Sequence, residues 1–178
     1  MSVRRPIWRD RDDPGFVREW REGLGGSDTL TPTAFIDQEA GYPYVVAAAW
    51  LFCPQTFEYR GGVFLAGVRA ETVDRWMEEF GGDVGRVEAM VNQTSLFDVF
   101  TNVAVDSYGE ENLTRLAYAI GECWQGVLQR RYPERDIVVT VADEPDGAYG
   151  PTVSFAEAPC PGPGAGSVDA GRPGPPSA

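Results

Sequence analysis

"PYVVAAAWLFCPQTFEYRGGVFLAG", residues 43–67, decides how much sheet this chain holds. Its first eleven residues, Pro43 to Cys53, form an almost unbroken apolar run that stops before Pro54. Hydrophobicity on every side, with aromatic and β-branched residues toward the ends, is the pattern of a central strand covered on both faces. Ala47, Ala48 and Ala49 pull the other way, because alanine is the best helix former. In a strand, three such small side chains would let a helix approach closely. Residues 56–67 read as a hairpin. Phe57 and Tyr59 alternate with Glu58 and Arg60, Gly61-Gly62 supplies the turn, and Val63 to Ala66 returns. The expectation is a first hairpin over about residues 43–66.

Toward the C-terminus the period changes from two to 3.6. Residues 69–80 place Val73, Trp76, Met77 and Phe80 on one helical face, and Gly81-Gly82 ends the run. Asp83 can cap a second helix with Val84, Val87, Met90 and Val91 inward. The most regular element is a long helix over about 108–131. Ser107-x-x-Glu110 forms a capping box, and Leu113, Leu116, Ala117, Ile120, Cys123, Trp124, Val127 and Leu128 hold the spacing. Arg130 and Arg131 oppose its dipole at the end. "DIVVTVAD" (136–143) and "PTVSFAEA" (151–158) make a second hairpin over about 136–157.

Toward the N-terminus, Asp13-Pro14 reads as N-cap and first helical residue. Phe16, Val17, Trp20 and Leu24 follow at helical spacing until Gly25-Gly26, and the stripe should lie on the sheet or the longest helix. Residues 33–41 read as a short strand or extended loop. Two hairpins separated by helices define an α+β fold with an antiparallel sheet and helices packed on it. The expected organisation is one globular domain over 1–158, followed by a disordered Pro/Gly-rich tail over 159–178.

The chain has 178 residues and a formal charge of −12. Such a surface repels phosphate backbones and anionic lipid, so neither nucleic acid nor membrane is an expected partner, whereas a basic protein would be attracted. Residues 1–30 show no apolar leader segment, and the longest apolar run is too short to span a bilayer. Three scattered cysteines, Cys53, Cys123 and Cys160, suggest neither a disulfide frame nor a zinc site. A reducing cytoplasm fits best. Cys53 and Cys123, set in apolar patterns, read as small buried hydrophobes.

The absences are the sharper chemical statement. There is no histidine, and all 15 basic residues are arginine. That excludes Ser-His-Asp and Cys-His catalysis, histidine metal sites, lysine Schiff bases and the P-loop lysine. An enzyme built on this chain would need Asp, Glu, Tyr or Cys for proton transfer. The arginine bias is also what a high-GC bacterial genome produces, so it excludes chemistries without naming a function. No cofactor or metal is expected.

Two groups of residues are candidate sites. "MVNQTSLFDVFTN" (90–102) gathers Asn92, Gln93, Asp98 and Asn102 amid text otherwise rich in Arg, Glu and apolar residues. On a helix, Asp98 and Asn102 would stand one turn apart and could share a ligand. The structural alternative is a polar joint, in which amides cap and bridge short helices. The second group is N-terminal. Trp8, amid Arg4, Arg5, Arg9 and Arg11 and next to Asp10, Asp12 and Asp13, has the composition of a partner contact. Trp20, Trp50, Trp76 and Trp124 sit in apolar patterns and read as core. The leading expectation is a non-catalytic, acidic protein-interaction module of inhibitor, immunity or adaptor type for a basic partner. The alternative is a small-molecule or metal-dependent enzyme using Asp37, Glu39 and Asp98. The Asp-x-Glu pair would share one face of an extended segment.

Overall fold

The computed structural model describes residues 14–26, 30–101, 109–143 and 150–158. The class is α+β: among the described residues there are seven helices with two antiparallel sheets, a two-stranded hairpin and a three-stranded sheet. Trp8, Asp10, Asp12, Asp13 and Asn102, and the tail from 159, lie outside the described residues.

The deciding stretch divides in an unexpected way. Residues Tyr42–Phe52 are a helix (α3) rather than a central strand. Pro43 in its first turn presets a helical φ, the alanine trio supplies propensity, and Pro54 follows its end. Only Val45 and Val46 in the run are β-branched, too few to outweigh this. The first hairpin is therefore shorter: β1 (Thr56–Tyr59) pairs with β2 (Gly62–Leu65), with Tyr59 opposite Gly62. Its turn is Arg60-Gly61, both at positive φ (48° and 85°), one residue earlier than the glycine pair suggests. Gly62 answers a different need. A Cβ there would lie 2.7 Å from the Phe64 ring and 2.9 Å from Val84.

Before α3, Pro32–Phe35 (α2) runs into a wide helical turn, Ile36–Ala40, so residues 33–40 are helical, not a strand or extended loop. The first helix, α1 (Gly15–Gly23), packs mainly on α2, where the sheet or the longest helix was expected. Phe16 and Trp20 meet Phe35 at 5.4 and 5.3 Å between ring centres.

After β2 come α4 (Ala70–Glu79) and α5 (Val84–Val91), and the Asp83 side chain accepts from Arg86 N as expected of an N-cap. Residues Gln93–Ser95 then form a short strand (β3), followed by one turn of helix, α6 (Leu96–Val99). The long helix α7 (Glu110–Arg131) starts after Gly109, whose φ is 78°, and Ser107 of the expected capping box lies outside the described residues. Finally β4 (Ile137–Ala142) and β5 (Thr152–Glu157) pair along their whole length, and β3 adds to the other edge of β5. The order is β3-β5-β4.

Helix α7 lies across this sheet. Ala117, Ile120, Trp124 and Leu128 join Val63, Leu96, Ile137, Val153 and Phe155 in the main core. Gly121 sets the approach: a Cβ there would stand 2.6 Å from Val141 Cγ2. A smaller cluster, Phe64, Val73 and Val87, fills the space under α4 and α5.

Candidate interaction surface

The polar passage at residues 90–102 resolves into a joint, and it joins sheets rather than helices. Asn92, at the C-cap of α5, is fully buried. Its Nδ2 donates to Val63 O (2.8 Å) and Phe155 O (3.3 Å), and its Oδ1 accepts from Leu65 N (3.0 Å). One turn earlier, Glu88 is equally buried and spans the same gap. Its Oε1 accepts from Val63 N and its Oε2 from Glu157 N, both at 2.7 Å. Two side chains of one helix thus fill the space between the edge of β2 and the Phe155–Glu157 end of β5, which lies beyond the stretch that β3 covers. Each edge keeps its backbone groups satisfied, as burial requires. Burial pushes the Glu88 carboxyl above its ordinary 4.5, against the pull of those two N–H groups.

Arg135 closes the end of the joint. It donates to Gly61 O at 2.7 Å and pairs with Glu58 and Glu157, both at 3.2 Å. The sequence reading missed Glu88. Its signal was phase: Glu88 and Asn92 fall on the same face as Val84, Val87 and Val91, where an unpaired acid would be costly.

The other described polar candidates, Gln93 and Asp98, do not gather with Asn92. Gln93 is exposed in β3 and donates to Ala89 O, while Asp98 is exposed in α6, its N–H held by Ser95 Oγ. Asp37 and Glu39 are exposed on the Ile36–Ala40 turn. On a helical turn, residues two apart point to opposite sides, so the shared face of an extended segment is lost. Among the described residues no group of three or more metal-ligating side chains comes together.

The cysteines differ from expectation too: Cys53 and Cys123 are both exposed. Desolvation, then Cys53 and Glu122, push the Cys123 thiol up, away from the reactive thiolate.

The most conspicuous surface is α3. Apolar on every side, it buries only part of itself: Leu51 and Phe52 pack against the main core, and Trp124 Nε1 donates to Leu51 O at 2.8 Å. The rest faces water. Tyr42 is 81% exposed, Tyr44 72%, Val46 60% and Trp50 79%. Trp50 is therefore surface, not core. Three aromatics of roughly 200 Å² each put this patch at the upper end of what a monomer leaves exposed, about 300–600 Å². No charged residue occurs from Gly41 to Phe57. The charges lie at its ends, with Asp37 and Glu39 before it and Arg131 after it, donating to Pro54 O at 2.8 Å.

No family model matches the chain, and no match is found among curated proteins or solved structures. Among the described residues, no helix is long and apolar enough to cross a membrane.

Proposed function

We propose that this protein works by recognition rather than turnover, as an acidic protein-interaction module of inhibitor or adaptor type. The observation that carries the reading is α3, an uncharged aromatic helix left largely in water. Burying such a patch contributes about 25 cal/mol per Å² against the entropy of association. The net charge of −12 supplies the selectivity: it draws basic proteins in and turns nucleic acid away. The cytoplasm is the compartment that suits free, unpaired thiols.

The test is photo-crosslinking in the native host. A photoreactive phenylalanine analogue at Tyr44 or Trp50 is expected to give adducts with polypeptides, and one at Val138, exposed on the sheet, to give none. Absence of adducts at both α3 positions would overturn the reading. So would a catalysed conversion that Asp37→Asn or Asp98→Asn abolishes, which would favour the carboxylate enzyme.

A further inference from the structure

We propose that the occupant of α3 is a second copy of this chain, packed antiparallel about a two-fold axis near Ala47 and Ala48. The proposal rests on reading α3 as an association surface and goes further by naming what covers it. Three observations favour self-pairing.

The first is the outward stripe. Leu51 and Phe52 face the core, so Tyr42, Val46, Ala49 and Cys53 share the opposite side at four-three-four spacing, with Trp50 beside them. That is the spacing of a helix–helix seam. Turned about its middle, the stripe sets Trp50 against Val46 of the other copy and Tyr42 against Cys53. The small side chains of Ala47 and Ala49 let the two backbones approach.

The second is charge. Asp37 and Glu39 sit at the start of α3 and Arg131 at its end. An antiparallel pair brings each acidic end to the arginine end of its twin. A parallel pair would set acid against acid. Between these ends the helix carries no charge, so a basic partner would find nothing there to neutralise.

The third is area. The exposed parts of the stripe itself, Tyr42, Val46, Ala49, Trp50 and Cys53, amount to roughly 500 Å². Two copies would bury about 1,000 Å², the size of a weak, reversible pairing. A two-fold interface uses the same patch twice and needs no other protein. The acidic remainder of the surface then stays free for a basic partner.

Sedimentation of the full chain is expected to give a species of twice 19.4 kDa. Trp50→Asp should weaken the pairing at least about 100-fold, as loss of a central aromatic anchor does. Val138→Asp should leave it unchanged. Register is read separately, in a Cys123→Ser/Cys160→Ser background. Tyr42→Cys should form an intermolecular disulfide with Cys53 under mild oxidant, and lose it when Cys53→Ser is added. A crosslink that survives Cys53→Ser would overturn the antiparallel arrangement. A monomer at about 100 µM, with photo-adducts from Trp50 to a different protein, would overturn self-pairing and leave the association reading standing. A monomer with no adducts would overturn both.

Discussion

Glu88 is the residue on which the two sheets depend. Its two oxygens take one backbone N–H from each sheet, so Glu88→Ala strands two buried donors at once. The expected loss is about 3 kcal/mol or more, at roughly 1–3 for each unsatisfied group. Glu88→Gln keeps the shape, but its amide can accept from only one donor and turns an N–H₂ toward the other. It should cost about 1–3 kcal/mol. Urea unfolding of both variants checks the order.

The pH dependence carries a sign. Because burial holds the folded-state value above the ordinary 4.5, the folded protein binds the Glu88 proton more tightly than the unfolded chain does. The contribution of this group is therefore complete below about pH 4.5 and is lost as pH rises through the folded value. Wild type should lose stability relative to Glu88→Gln across that window. A difference that grows in favour of wild type instead would mean that the two N–H groups outweigh desolvation. Asn92 is the neutral counterpart. Asn92→Ala removes partners from Val63 O, Leu65 N and Phe155 O, and about 3 kcal/mol should go with them.

At the scale of elements, α7 and α3 make opposite uses of apolar sequence. The close approach of α7 to β4 at Gly121 leaves no room for a methyl group. Gly121→Ala should cost about 1–3 kcal/mol through overpacking, despite its better helix propensity, as thermal unfolding would register. The outer edge of β4 is protected by a side chain of the same helix. Gln125 donates to Ile137 O at 2.8 Å and accepts from Val139 N at 2.9 Å, standing in for a neighbouring strand. On α3, by contrast, Trp50→Asp should change the stability of the monomer, read at a protein concentration too low for pairing, by only about 0.5 kcal/mol, the usual range for exposed sites. A large loss under those conditions would place Trp50 against something inside its own chain.

The amphipathic elements were legible because their periodicity is local. Val73, Trp76 and Met77 on α4, the α7 stripe, and the alternation in β1 and β5 all announce which face is inward. Helix α3 was not legible, because a run without polar residues has no phase to read. Strand and helix were left to be separated by three alanines and a proline.

For the whole molecule, charge sets the balance. Twenty-seven acids face fifteen arginines, and much of this excess repels itself at low ionic strength. Raising salt from about 0.01 to 0.15 M shortens the screening length from roughly 30 to 8 Å. The urea midpoint should therefore rise over that range. A fall would mean that paired charges, such as Arg135 with Glu58 and Glu157, outweigh the repulsion. A metal-dependent enzyme would behave differently. The Asp37→Ala/Glu39→Ala double variant would then lose a Mg²⁺-linked thermal shift, whereas the interaction reading expects no such dependence.

What the sequence determined by itself was class and exclusion. The α+β alternation, the second hairpin over about 136–157, the existence though not the start of the first (expected over about 43–66), and the loss of every histidine- or lysine-based chemistry follow from residue types and spacing alone. What only the tertiary structure decided was which apolar and polar residues trade places. Trp50 lies outside and Glu88 inside, because burial depends on what the rest of the chain brings alongside. Facing β2 and β5 turn a surface carboxylate into a mortise, and the lack of any described element over the outer side of α3 leaves a core-like sequence facing water.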